Sequence, residues 1–167
     1  MGNTIEALKI KNAVAIIISF ATSYEYNKKS NKRDRSRRLV NFIHQNADEQ
    51  DQSELVNAGY GRALIISISS AGGIEEYGDW ELFNGLVNIS RFLGDIHQGK
   101  RFYQSFPPLP VLAKTCEEQI EEEGGSEEVE SQLINNGHKY CNVKYYADLV
   151  KVKILNFYID LSNTRLD

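Results

Sequence analysis

Five apolar residues, Leu82, Leu86, Ile89, Leu93 and Ile96, recur at i, i+4, i+7, i+11 and i+14. That spacing collects them on one stripe of an α-helix but scatters them over both faces of a strand, so this part of the chain is an amphipathic helix with one side to bury. Asp79 stands before the stripe as its N-cap and Gly99 after it as its stop. The chain has the material to cover such a helix. Its 167 residues, 41% hydrophobic and 25% charged, fit one domain with a core that needs neither disulfides nor metal. Cys116 and Cys141 are too few for a disulfide scaffold and form no Cys-x-x-Cys. The longest apolar run, 13–21, is broken by Ser19 and falls short of the ~20 residues a membrane helix needs.

The flanking segments also read mainly as helices. Leu39, Val40, Phe42 and Ile43 give a helix beginning near Arg37 a broad apolar face, with Asp48 to Gln52 as its end. Ser53 is the expected cap of a helix from Glu54 through Ser69, although Gly59 and Gly61 weaken it and Ile65 to Ser70 alone would pass for a strand. Pro107, Pro108 and Pro110 mark a loop and a first helical turn, and Val111, Leu112, Cys116 and Ile120 continue as a helix closed by Gly124-Gly125. Ser126 is the expected cap of a short helix that Asn136-Gly137 ends. A last helix, from about Tyr145 to Leu161, is apolar nearly all round and is expected to be deeply packed. Helices joined by short Gly, Pro or Asn connectors imply an all-α fold of stacked antiparallel helix pairs, of the HEAT or armadillo type, spanning 1–167 as a single domain. Residues 1–37 read equally as helix, strand or a segment that packs only with a partner, and they include the basic loop 24–38.

The net charge of -4 conceals two blocks of opposite sign. Lys28, Lys29, Lys32, Arg33, Arg35, Arg37 and Arg38 face one acid, Asp34, a local balance of +6. Glu117, Glu118, Glu121, Glu122, Glu123, Glu127, Glu128 and Glu130 stand with no base among them, a balance of -8. The basic block, flanked by Tyr24 and Tyr26, suits phosphate contacts and base stacking on RNA; the plainer alternative is a solvated loop. Glu117, Glu121 and Glu122 are candidates for docking a basic partner surface, or simply the exposed face of the helix carrying Cys116 and Ile120. Phe102, Tyr103 and Phe106 form an aromatic connector that reads either as a partner-binding knob or as a packed turn.

The order Leu39-Val40-Asn41-Phe42-Ile43-His44, Tyr60-Gly61-Arg62-Ala63-Leu64 and Leu86 to Ile96, including Arg91-Phe92-Leu93-Gly94-Asp95, resembles the middle domain of the translation initiation factor 4G scaffold. Val111 to Ile120, Ser126 to Ile134 and the closing Ile154 to Asn163 resemble the helices that follow in that family, with Ser162 where an Arg is commoner. The resemblance runs from about residue 38 to 167. It implies a non-catalytic adaptor, without cofactor or small-molecule substrate, that binds a DEAD-box helicase or a messenger-RNA-bound factor and in some members RNA. Another helical-repeat interaction module is the near alternative.

Catalytic motifs are lacking. His44, His97 and His138 are far apart and make no metal-ligand pair with Cys, and there is no Walker loop, dinucleotide fingerprint or Gly-x-Ser-x-Gly elbow. His44 and His97 are expected at helix caps or on the surface. Asn88-Ile89-Ser90 is a formal glycosylation sequon expected to be inert on a helix. Ala63 to Gly73 resembles the strand leading to the catalytic His of caspase-like proteases, with Ala71 in the place of the His, and Gly99 to Gln104 resembles the approach to their nucleophile, with Ser105-Phe106-Pro107 following instead of Gln-Ala-Cys. That alternative implies a catalytically dead α/β binding protein. Met1-Gly2-Asn3 is followed by Glu6, where a myristoylation site needs Ser or Thr, and no secretory signal is read, so a cytoplasmic or nuclear location is expected.

Overall fold

The computed structural model describes residues 46–69, 76–102, 104–135 and 140–155. Six helices are named here: α1 (Glu49–Asn57), α2 (Tyr60–Ser69), α3 (Glu76–Gln98), α4 (Pro110–Glu122), α5 (Gly125–Ser131), extended by a 3-10 turn at Gln132–Ile134, and α6 (Val143–Leu155). Among the described residues no strand is formed, and the fold is all-α.

Local chemistry sets the helix ends. Asp48, not Ser53, starts α1: the Asp51 N–H donates to the Asp48 carboxylate at 2.9 Å, and the Asp48 N–H donates to the Asp51 carboxylate at 3.1 Å, a reciprocal capping box. The stretch read from sequence as one helix from Glu54 is therefore two, divided at Ala58 and Gly59, whose φ of +87° belongs to the left-handed region. Ile65 to Ser69 lies inside α2, which removes the strand on which the caspase-like reading depended. Its serines are accommodated by donating to the backbone, Ser67 Oγ to Leu64 O and Ser69 Oγ to Ile65 O, while Ile65 and Ile68 are buried. The α3 helix begins at Glu76, so Asp79 lies within it and does not cap it. All five stripe residues are buried, with Phe92 beside them. Pro110 is the first residue of α4, as expected, because a missing N–H costs nothing there. Gly124 caps α5, and Ser126 Oγ donates instead to the Glu121 carboxylate.

The helices pair in a definite sense. Tyr60 packs edge to face on Phe92, ring centroids 4.8 Å apart, and Ile68 touches Gly85, so α2 and α3 run antiparallel. Gly61 meets Cys116, Arg62 reaches Glu122 and Ile65 meets Gly125, so α2 and α4 run parallel. Phe83 packs on Tyr146 and Gly94 meets Lys153, so α3 and α6 run parallel as well. Gly61, which weakens the helix by propensity, serves the α2–α4 contact: a Cβ there would lie 2.7 Å from the Cys116 carbonyl oxygen.

One core runs through these contacts, from Leu55 and Val56 of α1 to Val143, Ala147, Val150 and Ile154 of α6. The expectation that α6 is buried nearly all round is corrected. Those four residues form its buried stripe, while Tyr145, Val152 and Leu155 are exposed, because the described helices cover only one side of it. Phe157 and Leu161, expected to extend the stripe, lie outside the described residues.

Candidate partner-binding loop

The connector between α3 and α4 is a closed loop. Gly99, at φ +76°, turns the chain out of α3. Lys100 and Phe106 then face each other across an antiparallel bridge, the Lys100 N–H donating to Phe106 O at 2.9 Å and the Phe106 N–H to Lys100 O at 3.1 Å. The Leu109 N–H donates to Ile96 O at 2.8 Å and ties the far end to the last turn of α3. Phe106 is buried at the base, whereas Phe102 at the tip is 77% exposed, between exposed Arg101 and Gln104. Within the aromatic connector Phe106 is packed, as expected of a turn, and Phe102 projects into solvent. Tyr103 lies outside the described residues.

Under this base lies a contact between α3 and α4 that sequence reasoning missed. His97 Nε2 is 2.7 Å from Glu117 Oε1, and the Glu117 side chain is only 3% exposed. Glu117 is therefore corrected from a docking or solvent-facing residue to a buried one. It shares a helical stripe with Ala113, Cys116 and Ile120, all buried, and that i, i+3, i+4, i+7 spacing was the available signal. His97, expected at a surface or cap position, is the inward-facing partner of this pair in the last turn of α3. This close contact joins the two helices on the side from which the loop emerges.

The remaining acids are placed differently. Glu121 and Glu122 are exposed, but Glu121 accepts from Ser126, and Glu122 and Glu123 share Arg62, with N to O distances of 3.0 and 2.6 Å. Glu130 pairs with Lys151 at 2.7 Å. These local partners hold much of the acidic face in intramolecular contacts. The basic cluster Lys28, Lys29, Lys32, Arg33, Arg35, Arg37 and Arg38 lies outside the described residues, as do His44 and His138.

Other candidate chemistry is enclosed by packing. Burial pushes the Cys116 thiol far above its ordinary range, with the charge of Glu117 adding to the effect, and burial likewise raises the Tyr60 hydroxyl. A thiol so disposed carries little thiolate and is a poor nucleophile. Asn88 and Ser90 of the glycosylation sequon are buried on α3. No group of three or more His, Cys, Asp or Glu able to hold a metal ion occurs among the described residues, and no described helix is long and apolar enough to cross a membrane.

Comparison with protein families, characterised proteins and solved structures finds no match to this chain.

Proposed function

We propose that the chain is a non-catalytic adaptor, a HEAT-like helical stack, that holds a protein partner through the tip of the α3–α4 loop. The observation that carries this reading is the exposed Phe102 ring beside Arg101, raised on a base pinned by backbone bonds. Aromatic and Arg side chains dominate the binding energy of protein interfaces, and a pre-shaped loop loses little entropy on docking. The resemblance to the initiation-factor scaffold supports a place in translation or RNA metabolism, with a DEAD-box helicase or a messenger-RNA-bound factor as the partner. RNA contact through Lys28 to Arg38 remains part of that proposal.

The test is a quantitative pull-down from a eukaryotic lysate, with and without nuclease, using the chain and its Phe102→Ala variant. A hot-spot side chain contributes about 2 kcal/mol or more, so the variant is expected to recover its main partner with roughly 30-fold lower affinity while keeping its helical circular dichroism. Undiminished recovery by the variant, or loss of every partner on nuclease treatment, overturns the reading.

A further inference from the structure

Basic side chains converge on one carboxylate where the later turns of α3 and α6 meet the base of the loop. Arg91 and Asp95 stand one helical turn apart on α3. Lys153 of α6 lays its ammonium against α3 at Gly94, where a Cβ would lie 2.7 Å from its Nζ. Lys100 follows the Gly99 turn, and Arg101 beyond it is exposed. Burial raises the Asp95 carboxyl above its ordinary value despite Lys100, Arg91 and Lys153, all of which pull it down. Three bases, Lys100, Arg91 and Lys153, thus act on Asp95. Among the described residues no carboxylate comes within ion-pair distance of Arg91, Arg101 or Lys153. Like charges gathered in this way repel one another unless an anion joins them.

The cationic surface is short. Along α3 before Arg91 the outward positions become neutral at Val87 and Asn84, and α6 presents Asp148. A nucleic-acid strand is tracked by a groove about 4–16 nucleotides long, which this patch does not supply. A peptide carboxylate pair beside an apolar side chain fits it, with Phe102 as the apolar neighbour.

We propose that this surface receives a short acidic segment of the protein partner, its Asp or Glu side chains on Arg91, Arg101 and Lys153 and an apolar residue on Phe102. The inference rests on the adaptor reading above and names the chemistry of the partner. It is tested on the full chain by fluorescence anisotropy with three labelled probes: a peptide of Asp and Glu around one Leu, its Asn and Gln counterpart, and a short oligouridylate. The acidic peptide is expected to bind at least tenfold more tightly than the neutral one, to weaken as salt rises, and to lose at least tenfold in affinity on joint Arg91→Ala and Lys153→Ala substitution with unchanged circular dichroism. No binding of the acidic peptide, equal binding of the neutral one, indifference to the two substitutions, or tighter binding of the oligouridylate overturns the proposal. In the pull-down, a partner released by Phe102→Ala but kept by the Arg91 and Lys153 variant defeats this inference alone. A partner released by neither defeats the adaptor reading with it.

Discussion

Replacing Phe92 with alanine is expected to destabilise the chain by about 3–5 kcal/mol, a large part of the 5–15 kcal/mol typical of a domain this size. Phe92 is fully buried on α3, and its ring meets Tyr60 of α2 at an interplanar angle of 73°. Truncation removes the buried ring, opens a cavity between two helices and ends the aromatic contact. Phe102, ten positions along, is the internal control: its exposed ring has little to lose, and Phe102→Ala is expected to stay within about 0.5 kcal/mol. Urea unfolding followed by circular dichroism checks both. Equal costs would mean that the division between packed helix and projecting loop is misplaced.

The second large effect belongs to His97 and Glu117. Leaving a buried polar group without its neighbour costs about 1–3 kcal/mol, and more for a charged one, whereas replacing both with apolar residues of similar volume is commonly neutral or better. His97→Ala is therefore expected to be strongly destabilising, because it leaves the Glu117 carboxylate enclosed among Ala113, Cys116 and Ile120. The double variant His97→Leu, Glu117→Leu is expected to recover most of that loss. A double-mutant cycle by urea unfolding measures the coupling. Amide exchange at Lys100 and Phe106 reports whether the loop base loosens in the single variant, since their N–H groups close the bridge. Additive costs with unchanged exchange would remove the pair from any role in holding the loop.

The parts of the fold legible in the sequence were those governed by periodicity. Leu82, Leu86, Ile89, Leu93 and Ile96 all reach the core, and Gly99 and Pro110 mark the ends expected of them. The misplaced features were local competitions between similar residues. Asp48 outranks Ser53 as a cap because Asp51, three residues on, returns its hydrogen bond. Gly59 breaks a helix that the apolar spacing would have carried through. The loop was legible in part: its aromatics were visible, but only the Lys100–Phe106 bridge separates buried Phe106 from exposed Phe102. The His97–Glu117 contact and the approach of Lys153 to Gly94 join helices distant in sequence, so no local pattern announces them.

The central claim is that the α3–α4 loop is the part of the molecule that meets a protein partner. It is tested most directly by placing a photo-crosslinking phenylalanine analogue at position 102 and, in a separate chain, at the exposed position of Glu127 on the acidic face. The account predicts a nuclease-resistant protein crosslink from position 102 and little from position 127. Crosslinks from position 127 alone, with position 102 silent, would contradict it.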